Sequence, residues 1–173
     1  MKALQVAGYF PAMVTPFDAN GSLRYEDFRR LVRWLIASGA KGICIAGDNG
    51  ESWALTPDER GRLVREARAE AGPAFPLVLG ASAPTTRQSI HYAEIAAREG
   101  ADGILLMPQT YVLKATRAEL VAHFRKVAAA VPLPIVAYNS PRRTGSSRTV
   151  LAGASSGKPK EMSCQLRPPS RVR

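Results

Sequence analysis

The chain has 173 residues, 46% of them hydrophobic, and a formal net charge of +10. That length supports one domain with a real core, and no apolar run approaches the roughly 18 residues that a membrane-spanning helix needs. The charge would suggest a nucleic-acid partner, but residues 1–141 hold 16 Lys/Arg against 13 Asp/Glu (+3) while residues 142–173 hold 8 against 1 (+7), so the body is nearly balanced and the tail carries the basicity.

The start, MKALQVAGYFPAMVTPF, has a single Lys and is soon broken by Gly and Pro, which argues against a secretory leader. GYFPAMV (8–14) is a first short apolar run, an expected strand. Ser22 is expected to open a helix through RYEDFRRLVRWLIAS, with Phe28, Leu31, Val32, Leu35 and Ile36 on one face and Gly39 as its stop. GICIA (42–46) follows, short and β-branched, as a strand buried on both faces should be. Thr56-Pro57-Asp58-Glu59 reads as a capping box with Pro at the first helical position, ahead of Leu63, Val64 and Ala67. PLVLG (76–80) is the third run. Thr85 to Gln88 is a second box, leading a helix with Ile90, Ala93 and Ala97 that ends at Gly100. GILLM (103–107) is the fourth run. Thr116 to Glu119 is a third box, before Leu120, Val121, Phe124 and Val127, and PIVAY (134–138) is the fifth run.

Five strands alternating with four helices over short loops predict right-handed βαβ units on a parallel sheet. The echo between GAKGICIAG (39–47) and GADGILLMP (100–108) suits a (β/α) barrel, in which one unit recurs. A doubly wound sheet is the rival, but no GxGxxG and no P-loop follows any strand. GDNGES (47–52) and YNSPRRTG (138–145) both stand at carboxyl ends of strands, the face where such folds carry their chemistry. A plain turn is the competing reading of the first, and a loop capped by an amphipathic Tyr that of the second. Cys44 and Cys164 make no disulfide framework and read as a core residue and a surface thiol. His91 and His123 lack metal-ligand company, so no metal is expected, and Trp34 and Trp53 are expected to pack, with Trp53 close enough to GDNGES to line a site.

From about Gly8 to Gly145 the motifs resemble the dihydrodipicolinate synthase / N-acetylneuraminate lyase family of class I aldolases. The residues that carry the likeness are PAMVTPF (11–17) with Gly21, GDNGES (47–52) before L-T-x-x-E-R (55–60), Gly80-Ala81, GADGILLMP (100–108) and Y-N-x-P-x-R-T-G (138–145). The resemblance implies a (β/α)8 barrel, often tetrameric. It implies pyruvate or another 2-oxo acid as the small-molecule substrate, held as a Schiff base on a strand-six lysine for aldol-type bond formation or cleavage, with no cofactor. The protonated imine is the electron sink, so a lysine is indispensable. By the same resemblance Tyr138 matches the proton-shuttling tyrosine, and Arg143 the arginine that meets a second carboxylate through bidentate hydrogen bonds. Gly47 and Gly50 match the turn whose backbone N–H groups hold the pyruvate carboxylate, with Glu51 tying that turn down. Tyr111 stands for the tyrosine that enters a neighbouring subunit's site, although its spacing from Pro108 departs from the usual Pro-Tyr-Tyr.

Two departures shape the expectations. Asp48 and Asn49 occupy the places of two threonines; Asn can still donate, but an Asp beside a substrate carboxylate repels it unless protonated or turned away, which favours a different 2-oxo acid. The strand-six lysine finds no counterpart: Lys41 precedes a strand, Lys126 sits in a helix, Lys114 in a loop, Lys2 at the start, and Lys158 and Lys160 in Gly/Ser/Pro-rich sequence. The expected organisation is therefore a partial barrel of about five βα units over residues 1–145 and a basic, disordered tail over 146–173, as from a frameshift or a premature end. Two further functional readings stay open: a catalytically inactive fragment, or a half that needs a complementing chain, associating through exposed barrel surfaces into a homo-oligomer, and, least favoured, a basic nucleic-acid-binding protein, whose tail lacks aromatic residues. A cytoplasmic location fits the composition.

Overall fold

The computed structural model describes residue 4, residues 6–108 and residues 115–140. In chain order the elements are α1 (Tyr25–Ala37), β1 (Ile43–Ile45), a 3₁₀ turn (Ser52–Ala54), α2 (Pro57–Ala71), β2 (Leu77–Gly80), α3 (Thr86–Arg98), β3 (Gly103–Leu106), α4 (Arg117–Ala130) and β4 (Ile135–Ala137). The strands form one sheet in the order β1-β2-β3-β4, all parallel. A strand order that follows the chain without reversal is the singly wound, barrel-type arrangement; a doubly wound sheet would reverse at a switch point.

The first apolar run is not a full strand. Residues 9–13 run parallel to β1 through a single bridge, Ala12 to Cys44, with Met13 N–H donating to Cys44 O at 3.0 Å, Cys44 N–H to Pro11 O at 2.9 Å and Lys41 N–H to Tyr9 O at 2.8 Å. Pro11 has no N–H to extend the ladder, which confines the segment to an edge. The expected first strand is thus in its expected place, as an irregular edge.

The two faces of the sheet differ. Ile43, Ile45, Leu77, Leu79, Ile104 and Leu106 point to the helices and join Phe28, Val32, Leu63, Val64, Ala93, Phe124 and Val127 in the main core. The alternating residues Cys44, Val78, Leu105 and Val136 form a second cluster on the inner face, covered by Leu4, Val6, Phe10 and Tyr138. Period-two alternation with both sides apolar is what a barrel strand requires.

The helix starts follow the sequence in part. Thr56 and Thr116 make complete capping boxes with Glu59 and Glu119. Thr85 makes half of one: its hydroxyl accepts from Gln88 N–H at 3.2 Å, while the Gln88 side chain faces the same hydroxyl at 3.5 Å instead of the backbone. Ser22 does not open α1. It closes the 18–22 turn, donating its N–H to Asp18 Oδ1 at 2.8 Å, and α1 starts after Arg24 without a side-chain cap. Trp34 and Trp53 are not packing residues either; they are 61% and 78% exposed. Among the described residues, no helix is long and apolar enough to cross a membrane.

Candidate active site

The turn after β1 is a strained, closely packed piece of backbone. Ala46 and Glu51 take φ of +51° and +50°, the left-handed region that non-glycine residues rarely adopt. Between them Gly50 N–H donates to Gly47 O at 3.1 Å, Glu51 N–H to Asp48 O at 3.2 Å and Ser52 N–H to Gly47 O at 3.3 Å. The Gly50 amide is therefore spent inside the turn, and its missing side chain is what the packing uses: a Cβ there would stand 3.0 Å from Met13 O. Gly47 is buried over the inner face, where a Cβ would meet Cys44 Sγ at 3.5 Å and Leu105 Cδ2 at 3.7 Å. Asp48 is half-buried and Asn49 exposed. Burial and, to a lesser degree, the charge of Asp48 push the Cys44 thiol up to about 12, so this thiol is inert at neutral pH.

Two residues outside the sequence-based candidates hold the turn. Thr15, at the end of the edge segment, donates its buried hydroxyl to Gly50 O at 2.7 Å. Arg60, in the first turn of α2, is only 2% exposed. Its guanidinium donates to Gly80 O at 2.9 Å and to Ser52 O, and lies 3.9 Å from the Tyr92 ring centroid. Burial lowers its pKa from the usual arginine value. One signal for Arg60 was present: it precedes Leu63, Val64 and Ala67 on the buried face of one helix, at i+3, i+4 and i+7. Thr15 stands inside the PAMVTPF stretch that carries the family likeness, but nothing in its local spacing points to Gly50.

Tyr138 stands just past β4, its N–H donating to Leu106 O at 2.9 Å. Its half-buried side chain packs on the Cys44, Val78, Leu105 and Val136 cluster. Gly47 and Tyr138 thus approach one inner surface from opposite sides of the sheet, both at carboxyl ends of strands. Between them Met107 N–H donates to Ser82 Oγ at 2.9 Å, tying the ends of β2 and β3. Arg143 and Tyr111 lie outside the described residues. Among the described residues no three His, Cys, Asp or Glu side chains are grouped to hold a metal.

Against known proteins, the Dihydrodipicolinate synthetase family matches residues 5–152. An uncharacterised DapA-like lyase of Halobacterium salinarum is 41% identical over 144 residues, covering 83% of this chain and 47% of its own length. A 4-hydroxy-tetrahydrodipicolinate synthase of Nitratidesulfovibrio vulgaris is 38% identical over 144 residues, covering 83% of this chain and 49% of its own. Among solved structures, the dihydrodipicolinate synthase of Acinetobacter baumannii complexed with pyruvate superposes with a TM-score of 0.78 at 33% identity, over 82% of this chain and 48% of that one. The chain spans about half the length of the curated relatives it matches. Parallel units wound in chain order, a shared inner face with polar groups at its carboxyl rim, and a family match over residues 5–152 lead to one conclusion: this chain belongs to the dihydrodipicolinate synthetase family.

Proposed function

We propose that the described residues form the carboxylate-holding and proton-relaying side of a Schiff-base site for pyruvate or a related 2-oxo acid. The observation that carries this reading is the convergence of the Gly47–Gly50 turn and Tyr138 on one inner surface at the carboxyl ends of β1 and β4. The substrate carboxylate rests against the start of the turn, at Gly47 and the exposed Asn49; the amides of Gly50, Glu51 and Ser52 are engaged with turn carbonyls. The Asn49 carboxamide is a donor toward it. The Asp48 carboxylate disfavours a substrate with a second negative charge nearby, so a small monocarboxylate fits better than a dicarboxylate. Tyr138 relays protons at the imine carbon's substituents, a role that a phenol performs when substrate lies within hydrogen-bond reach. Arg143, five residues after Tyr138 in the sequence, meets a carboxylate of the second substrate.

The described residues do not supply the imine-forming lysine. Lys41 lies at the amino end of β1, the face opposite the turn, and Lys126 is exposed on α4. This favours, as a second reading, that the chain binds a 2-oxo acid without forming the imine by itself. One experiment separates the two. The protein is incubated with pyruvate and borohydride and read by intact mass, while amide spectra of residues 47–52 are followed during a pyruvate titration. Shifts without an adduct give binding without imine chemistry, and shifts with an adduct give the complete reaction centre. Neither shifts nor an adduct removes the proposal.

A further inference from the structure

Arg60 is the largest of the fully buried side chains, and none of the ion pairs found among the described residues includes it. A buried charge is costly unless it is paired and hydrogen-bonded. Here the partners are two backbone carbonyls, Gly80 O and Ser52 O, and the face of Tyr92, while Nε finds no partner at all. The two carbonyls belong to different strand ends. Gly80 closes β2, and Ser52 closes the turn that follows β1. These two segments touch: a Cβ at Gly80 would stand 1.9 Å from Ala46 O. Ala46 and Glu51, at the two ends of the turn, hold positive φ, a conformation that persists only where the surroundings over-determine it.

We propose that Arg60 is a positioning residue for the carboxylate-binding turn. It clamps Ser52 to the end of β2 and so fixes the backbone from Gly47 to Ser52 in its strained shape. It also leaves a buried positive charge, with no carboxylate partner among the described residues, beneath a turn offered to an anion. Arginine suits this position and lysine does not: the planar fork donates to two divergent carbonyls while its face stacks on Tyr92, whereas an ammonium can reach one of the carbonyls and cannot stack in that way. The inference rests on the carboxylate reading above for its functional meaning, but the clamp itself is testable without ligand.

The test compares the wild-type chain with Arg60→Met, Arg60→Lys and Tyr92→Leu, using amide spectra with and without pyruvate. In ligand-free Arg60→Met the resonances of Gly47–Ser52 and Gly80 move, while those at the opposite end of α2 and in α4 stay. Pyruvate binding weakens by about tenfold or more, as expected for losing charge-assisted hydrogen bonds that hold a site. Arg60→Lys returns part of the binding, and Tyr92→Leu moves the same turn resonances by less. If Arg60→Met does not fold, Arg60→Lys and Tyr92→Leu decide by the same pattern. The proposal is overturned if the turn resonances of the folded variants match wild type, if shifts spread evenly over the sheet, or if pyruvate binds the variants as it binds wild type. Should wild type itself not respond to pyruvate, the carboxylate reading falls, and the ligand-free spectra still decide the clamp.

Discussion

Two buried polar side chains, Arg60 and His123, solve the same problem differently. Arg60 keeps its charge by spending it on carbonyls and a ring face. His123, 2% exposed between α3 and α4, gives up its charge: burial pushes it down to about 4, with Nδ1 3.0 Å from Thr86 Oγ1 and Nε2 unpartnered. The folded protein therefore holds a neutral imidazole where the unfolded chain has an ordinary one that protonates near pH 6.5. Because the folded value is depressed, the unfolded state binds the extra proton as pH falls. Stability is undiminished by this group above about pH 6.5 and declines from there toward pH 4. Glu66, Glu99 and Glu119 have lowered values, through hydrogen bonds from Arg29, Arg65 and Thr116 respectively. Their contribution declines only below the ordinary carboxylate range, so the interval from pH 7 to 5 isolates the histidine. Urea midpoints measured across that interval should fall in wild type and stay nearly level in His123→Leu; equal slopes would remove the assignment.

At the scale of elements, the three threonine caps provide an internal comparison. Thr56 and Thr116 exchange bonds both ways with their glutamates, and Thr85 accepts one bond from Gln88 N–H without the return bond. Thr56→Ala should cost about 1 kcal/mol or somewhat more, and Thr85→Ala less, since fewer bonds are lost; chemical denaturation of the two variants checks the order. These caps, the apolar faces behind them and the alternation of runs were legible in the sequence because each depends on local spacing. The start of α1 was not. Asp18 competes for Ser22 by accepting both its N–H and that of Asn20, and a residue held in a turn cannot also cap a helix. The edge segment was half legible: its apolar run marks a strand, and Pro11 inside it marks an edge. Of the site, the Gly47–Gly50 turn and Tyr138 could be located by their place after apolar runs. Thr15 and Arg60 could not be assigned their partners, because their bonds span 35 and 20 residues and such contacts leave no local pattern.

For the molecule as a whole, the arrangement of neighbours is strictly sequential, and that has a consequence for association. Each strand pairs with the next, so the described sheet has two edges, the 9–13 segment and β4, and neither is paired to the other. Edge backbone of this kind is a template for pairing with another chain. The edge segment is poorly defended: Ala12 is exposed, Val14 is 56% exposed and Tyr9 50%. The inner face between the edges is apolar but buried, Val136 and Leu105 lying under Leu4, Val6, Phe10 and Tyr138. On the helical side Arg29 and Arg33 bridge α1 to Glu66 and Glu70 of α2 and keep that seam charged, with Trp34 of α1 exposed beside it. Association should therefore run through the edges. Sedimentation over a range of concentrations should give a weight-average mass rising above the 18.6 kDa of one chain, with little dependence on salt because the surfaces are apolar and backbone in character. Val14→Lys, which places a charge on the edge, should lower that mass. A single 18.6 kDa species at every concentration, or association abolished by salt alone, would assign the contact elsewhere or remove it.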